Sequence, residues 1–153
     1  MGIALFDTNI LIDVLKGYQP AIDELECWND PVISVITWIE VLAGAKPSER
    51  SAILEFLADL TVIHTDNSIM SAAAEIRATS IAISRKIALP DAIIVATAAV
   101  RDATVITRNK KDFLHWNVRI PYELSNTTPV SFINIVPPPG PPRINPYPPV
   151  KLD

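Results

Sequence analysis

Four carboxylates stand in settings where a merely solvated acid is out of place. Asp7 ends the apolar run Ala4-Leu5-Phe6 and is followed by helical apolar spacing through Ile10, Leu11, Val14 and Leu15. Glu40 lies between Ile39 and Val41, and Asp91 opens the most apolar helical stretch, "AIIVATAAV". Asp112 follows "TVIT" by five residues and adjoins Phe113. Brought together, two such charges ~4 Å apart repel by about 4 kcal/mol at an effective dielectric of ~20. A cluster of this kind must hold protons, recruit Arg or Lys, or bind a cation. All-oxygen donors without a nearby His or Cys pair select hard ions, Mg²⁺ or Mn²⁺. Carboxylate-held ions ~3.5–4 Å apart are the usual apparatus for in-line phosphodiester cleavage. His64 and His115 are isolated from the four acids and read as structural or exposed. Each acid also has a purely local use. Asp7 can cap a helix, Glu40 can complete a capping box with Thr37, Asp91 suits a first helical turn after Pro90, and Asp112 can cap a short turn.

Convergence depends on the elements that carry these residues. Strands are expected at Ile3 to Phe6, "PVISVI", "TVIH" and "TVIT". Between them, helical patterns run from Thr8 to before Gly17, Pro20 to Trp28, Thr37 to Gly44, Ser48 to Leu60, Ser68 to about Lys86, and Leu89 to Arg101. Strands alternating with helices imply an α/β fold: three layers, α/β/α, around a mainly parallel sheet. In such sheets sites gather outside the carboxyl ends of strands at the topological switch point. All four acids fall at or soon after such an end, or at the start of a helix packed there. Asp23, Glu24, Glu26, Glu49, Glu55, Asp59 and Glu75 read instead as polar helix faces.

Eight of the 14 prolines lie between Pro137 and Pro149. Residues 1–136 are therefore expected to form the domain and 137–153 a proline-rich C-terminal tail, extended and dispensable for folding. At 153 residues with 49% hydrophobic content, the chain can bury a substantial core. No apolar run approaches the ~20 residues that span a bilayer, and Asp7 falls where an export leader would be apolar. A lone Cys27 suits a reducing compartment, so a cytoplasmic location is expected. The net charge of −4 argues against a generic nucleic-acid coat but not against a metal-dependent enzyme acting on nucleic acid.

"FDTNILID" with Asp7, "TWIEVLAG" with Glu40, "LPDAIIVATA" with Asp91 and "VITRNKKDF" with Asp112 together resemble the PIN domain. More narrowly they are similar to the VapC-type toxin ribonucleases of toxin–antitoxin pairs, over about Ile3 to Phe113. The resemblance implies a Mg²⁺- or Mn²⁺-dependent endoribonuclease, often a homodimer, acting on RNA and silenced by a cognate antitoxin protein. It implies that Asp7, Glu40, Asp91 and Asp112 are the catalytic, metal-binding acids, with Thr8, Asn9, Thr107 and Asn109 as supporting polar groups. Asn109 stands where many relatives carry another acid, and Ile87 where a glycine is common. Arg108, Lys110 and Lys111 beside the acids are candidates for RNA phosphates, because an acidic mouth must still attract a polyanion. Trp38, Leu42, Leu57 and Leu60 are candidates to line an antitoxin groove.

Two other classes remain open on sequence. A phospho-receiver or aspartyl-phosphatase-like domain also gathers acids and Mg²⁺ at strand ends, but Thr37, not Asp, follows "PVISVI". A non-catalytic PIN-like binding module would use the acids to hold a structural ion or a basic peptide.

Overall fold

In the computed structural model, which describes residues 2–113, 116–144, 146–150 and 152, five short strands form one sheet. These are β1 (Ile3–Phe6), β2 (Val32–Ser34), β3 (Thr61–Ile63), β4 (Ala103–Ile106) and β5 (Val118–Arg119). Their order is β3-β2-β1-β4-β5, and every pairing is parallel. Alternation along each strand divides the side chains between two cores. Ala4, Phe6, Ile33 and Ile106 go to one, while Leu5, Val32, Ala103 and Val105 go to the other.

The first core is covered by α1 (Thr8–Leu15), α2 (Gln19–Glu26), part of α3 (Val35–Ala43) and α4 (Arg50–Ala58), through Leu11, Leu25, Val41 and Phe56. On the opposite side α5 (Asn67–Ala82) packs on α6 (Leu89–Arg101) through Ile69, Ala73 and Ala96. Ala92, Val95 and Ala98 of α6 and Phe113 of α7 (Lys110–Phe113) fill the second core. This is the expected three-layer α/β/α arrangement. The chain builds outward from β1 to β3, then returns to place β4 on β1's other flank. The switch point therefore lies between β1 and β4, whose ends Phe6 and Ile106 are in register.

Local boundaries shift for identifiable reasons. The strand expected at "PVISVI" stops at Ser34, whose hydroxyl accepts the Ile36 N–H at 3.1 Å and caps α3. Thr37 is thus inside the first turn, buried, and not the cap. Val35 and Ile36 are helical despite their β-branching, because packing outweighs propensity. The hairpin of β6 (Glu123–Leu124) and β7 (Phe132–Ile133) is too short to show a period in sequence. Leu42, Leu57 and Leu60, candidates for an antitoxin groove, are buried in the first core, and Trp38, partly buried, packs against it.

The proline-rich segment lies against α2. Arg143 N–H donates to Glu26 O at 2.7 Å, and Tyr147 N–H donates to Glu26 Oε1 at 3.0 Å. The Arg143 guanidinium sits 4.3 Å from the Tyr147 ring centroid, and Tyr147, Val150 and Leu152 pack on the first core. These contacts revise the expectation of dispensability. Truncation after Val136 should lose ~2 kcal/mol, lowering the melting temperature by about 4–8 °C. A change under 2 °C would show that the arm rests on α2 without stabilising it.

Candidate active site

Asp7 occupies the seam between β1 and α1, and its backbone N–H donates to Ile106 O at 2.9 Å, tying it to the end of β4. Its Oδ1 accepts the Thr8 N–H at 2.7 Å, so the capping role is real. Its Oδ2 accepts the Thr107 hydroxyl at 2.7 Å and the Asn9 amide at 3.2 Å. Capping occupies one oxygen while the other joins a network. Asp7 is buried, and that burial raises its pKa, helped by the Glu40 charge and opposed by the Thr107 and Thr8 hydrogen bonds.

The network runs in both directions from Asp7. Thr8 Oγ1 donates to Glu40 Oε1 at 3.0 Å and lies 3.2 Å from Thr37 Oγ1. Thr107 Oγ1 also accepts the Asn9 amide at 3.2 Å and the Asn109 N–H at 3.0 Å. Asn109 then caps α7: its Oδ1 accepts the Asp112 N–H at 3.2 Å, and its Nδ2 donates to Asp112 Oδ2 at 3.0 Å. Glu40, Asp7 and Asp112 are thereby joined through Thr8, Thr107 and Asn109. Asp91 enters through charge. Burial first, then the charges of Asp7, Asp112 and Glu40, push its carboxyl up to about 6. Thus the four acids share one negative field at the switch point.

The basic residues sort differently from expectation. Arg108 turns its guanidinium to Asp13, with Nε at 2.6 Å from Oδ2 and Nη2 at 3.2 Å from Oδ1. The Tyr122 hydroxyl donates to the same Asp13 Oδ2 at 2.6 Å. Asp13 is fully buried, and an unpaired carboxylate there would be strongly destabilising, so Arg108 is drawn inward, away from a phosphate role. Its backbone N–H donates to Asn9 Oδ1 at 3.2 Å, and its charge acts to lower the Asp7 carboxyl pKa against the larger effect of burial. Lys110 pairs with Glu123 at 2.8 Å, and Lys111 is exposed.

Asp13 is not among the expected site residues, although an acid inside the apolar run "NILIDVL" is itself a signal of a paired buried group. Glu24, expected on a polar helix face, is buried, accepting from Arg119 Nε at 2.7 Å and Trp28 Nε1 at 3.1 Å. Ile87 is buried with Ala92 and Phe113, filling the position before "LPD" with packing. His64 is exposed, and His115 lies outside the described residues.

The donor set fits a hard divalent cation. Its donors are carboxylate oxygens, and every charge acting on Asp91 raises its proton affinity, leaving negative charge that a cation would offset. Among the described residues no three Asp, Glu, His or Cys side chains already enclose one point. Mg²⁺ does not require such a cage, since it keeps several waters and is commonly held by one or two carboxylates plus substrate phosphates.

Residues 4–115 match the PIN domain family. A chain of a toxin–antitoxin complex from Klebsiella pneumoniae is 40% identical, with a TM-score of 0.71 over 78% of this chain and 98% of that one. A chain of VapBC-1 from nontypeable Haemophilus influenzae is 26% identical, with a TM-score of 0.65 over 76% and 96%. A chain of VapBC2 from Rickettsia felis, bound to a promoter DNA fragment, is 25% identical, with a TM-score of 0.68 over 76% and 97%. No curated protein matches the sequence.

Proposed function

The chain belongs to the PIN domain family, and on that premise we propose that it is a Mg²⁺- or Mn²⁺-dependent endoribonuclease acting as the toxin of a toxin–antitoxin pair. The observation that carries this reading is the hydrogen-bonded line from Glu40 through Asp7 to Asp112, with Asp91 in the same field.

Asp7, Asp91, Asp112 and Glu40 would hold the cation. When bound, it supplies a water of lowered pKa and stabilises charge developing on the phosphate. The chain's own residues set the geometry. Thr107 and Asn9 fix the rotation of the Asp7 carboxylate, Thr8 fixes Glu40, and Asn109 fixes Asp112. Thr107→Val removes the donor to Asp7 and the acceptor for Asn109 together. Cleavage should fall about 10–100-fold, as for lost second-layer partners of metal ligands, with the ribonuclease rate at saturating Mg²⁺ as the check. An unchanged rate would mean that Asp7 is held adequately by the Thr8 N–H alone.

Near neutral pH Asp91 still carries a proton part of the time, because its carboxyl titrates at about 6. Cation binding must release that proton, so at limiting Mg²⁺ the rate should drop as pH falls through about 6. A flat rate from pH 8 to 5 would remove Asp91 from the site.

A homodimer, a cytoplasmic location and a cognate antitoxin presenting an Arg-bearing segment to the acidic mouth complete the proposal. Support for the antitoxin is that a 40% identical chain comes from a toxin–antitoxin complex. Among the described residues no helix is long and apolar enough to cross a membrane. The test is cleavage of single-stranded RNA with Mg²⁺, with chelator, and after Mg²⁺ is restored, beside circular dichroism. Cleavage that disappears and returns with unchanged dichroism supports the nuclease. Absent cleavage in all three leaves a binding module.

A further inference from the structure

A cavity of about 930 Å³ opens from Asp112 and is bounded by α5, the loop from Ile83 to Ala88, Lys111 of α7, and Trp116. It shares Asp112 with the acidic site but differs in charge. Its lining includes Arg85, Lys86 and Lys111 against Glu75 and the site's own Asp112. Lys86 and Lys111 are exposed, and Trp116 is 39% exposed beside them. In a chain of net charge −4, cations placed next to a carboxylate cluster mark where a polyanion can approach it.

The loop wall is already in place. Ser80 Oγ accepts the Ile87 N–H at 3.1 Å, and Arg77 Nη1 donates to Ile87 O at 2.6 Å. Arg85 N–H donates to Ser80 O at 2.9 Å, and Ile87 is 6% exposed. A ligand would not have to order this wall on binding.

We propose that this cavity binds the single-stranded nucleotides next to the cleaved bond, with Lys86 and Lys111 on phosphates and Trp116 stacked on a base. The inference rests on the nuclease reading and adds Lys86 and Trp116 to it. An aromatic face beside cations is the pairing that holds single-stranded nucleic acid with little sequence preference. Within this cavity the same lysines disfavour a basic peptide, which would have to reach the acids from outside it.

The test is fluorescence anisotropy of a labelled single-stranded oligoribonucleotide in chelator, over a salt series. The proteins are wild type, Trp116→Ala, Trp116→Phe and the double variant Lys86→Ala/Lys111→Ala, with melting curves and Mg²⁺-dependent cleavage measured in parallel. Trp116→Ala should weaken binding about tenfold, and Trp116→Phe should restore most of it. The double variant should flatten the slope of log K against log salt by about 1.4, that is ~0.7 for each lost contact to a single strand. If folded variants keep wild-type affinity and slope while wild type cleaves RNA, the channel is wrong and the nuclease reading stands. If wild type neither binds nor cleaves RNA, both fail. If the variants lose a co-purifying protein partner but keep RNA affinity, the cavity is a protein-docking surface and the proposal is overturned.

Discussion

Asp91→Asn is expected to abolish RNA cleavage and, in the metal-free protein at pH 7, to raise the melting temperature. Two effects point in opposite directions because the same charge serves one purpose and opposes another. The Asp91 carboxyl titrates at about 6 in the folded chain against 3.8 for the free group, owing to burial and then to Asp7, Asp112 and Glu40. The folded state therefore holds this proton more tightly than the unfolded state. Ionisation opposes folding, negligibly below 3.8 and fully once pH has risen past 6. Discounted for the solvent reaching a half-buried group, relief of that opposition is worth ~1 kcal/mol, or about 2–4 °C. The gap between variant and wild type should narrow as pH falls from 7 toward 4. Mg²⁺ should then stabilise the wild type by mass action and the variant much less. Melting curves with and without Mg²⁺ at several pH values check this. A variant that melts like wild type, responds equally to Mg²⁺ and cleaves RNA would return Asp91 to a helix-terminus role.

The largest stability effect should come from a residue outside the acidic cluster. Asp13→Ala leaves the Arg108 guanidinium and the Tyr122 hydroxyl without their shared acceptor in a buried place. Removing one partner of such a pair costs about 3–5 kcal/mol, or roughly 6–20 °C in a domain of this size. Arg108→Ala should cost a similar amount, because it strands the Asp13 charge instead. Lys111→Ala, by contrast, should leave the melting temperature within about 1 °C, as for an exposed charge. Thermal melting of the three variants separates the structural cation from the accessible one. If Arg108→Ala melts like wild type but binds RNA poorly, the guanidinium faces substrate and the inward pairing is wrong.

These contrasts show what the sequence could and could not disclose. Asp7 was legible because the apolar period changes from strand to helix at that residue, which fixes it at a strand end. Asp91 and Asp112 stand out by a different sign, as acids bordering strongly apolar segments. Glu24 looks solvated on its helix until its partner is placed, and although the apolar run marks Asp13 as buried, neither partner could be named, since Arg108 and Arg119 lie 95 residues away in both cases. Thr37 resembled a cap because "PVISVI" gives no sign that the strand yields to helix after Ser34. The proline-rich arm could not be placed because its contacts with Glu26 are made by backbone N–H groups that composition does not reveal.

The central claim is that Asp7 and Asp91 hold a cation that RNA cleavage requires. Calorimetric titration of Mn²⁺ into wild type, Asp7→Asn and Asp91→Asn, with cleavage assayed on the same samples, tests it most directly. Saturable binding to wild type, lost in both folded variants together with cleavage, is the predicted result. Undiminished Mn²⁺ binding and cleavage in either variant would contradict the account and leave that carboxylate as a helix cap.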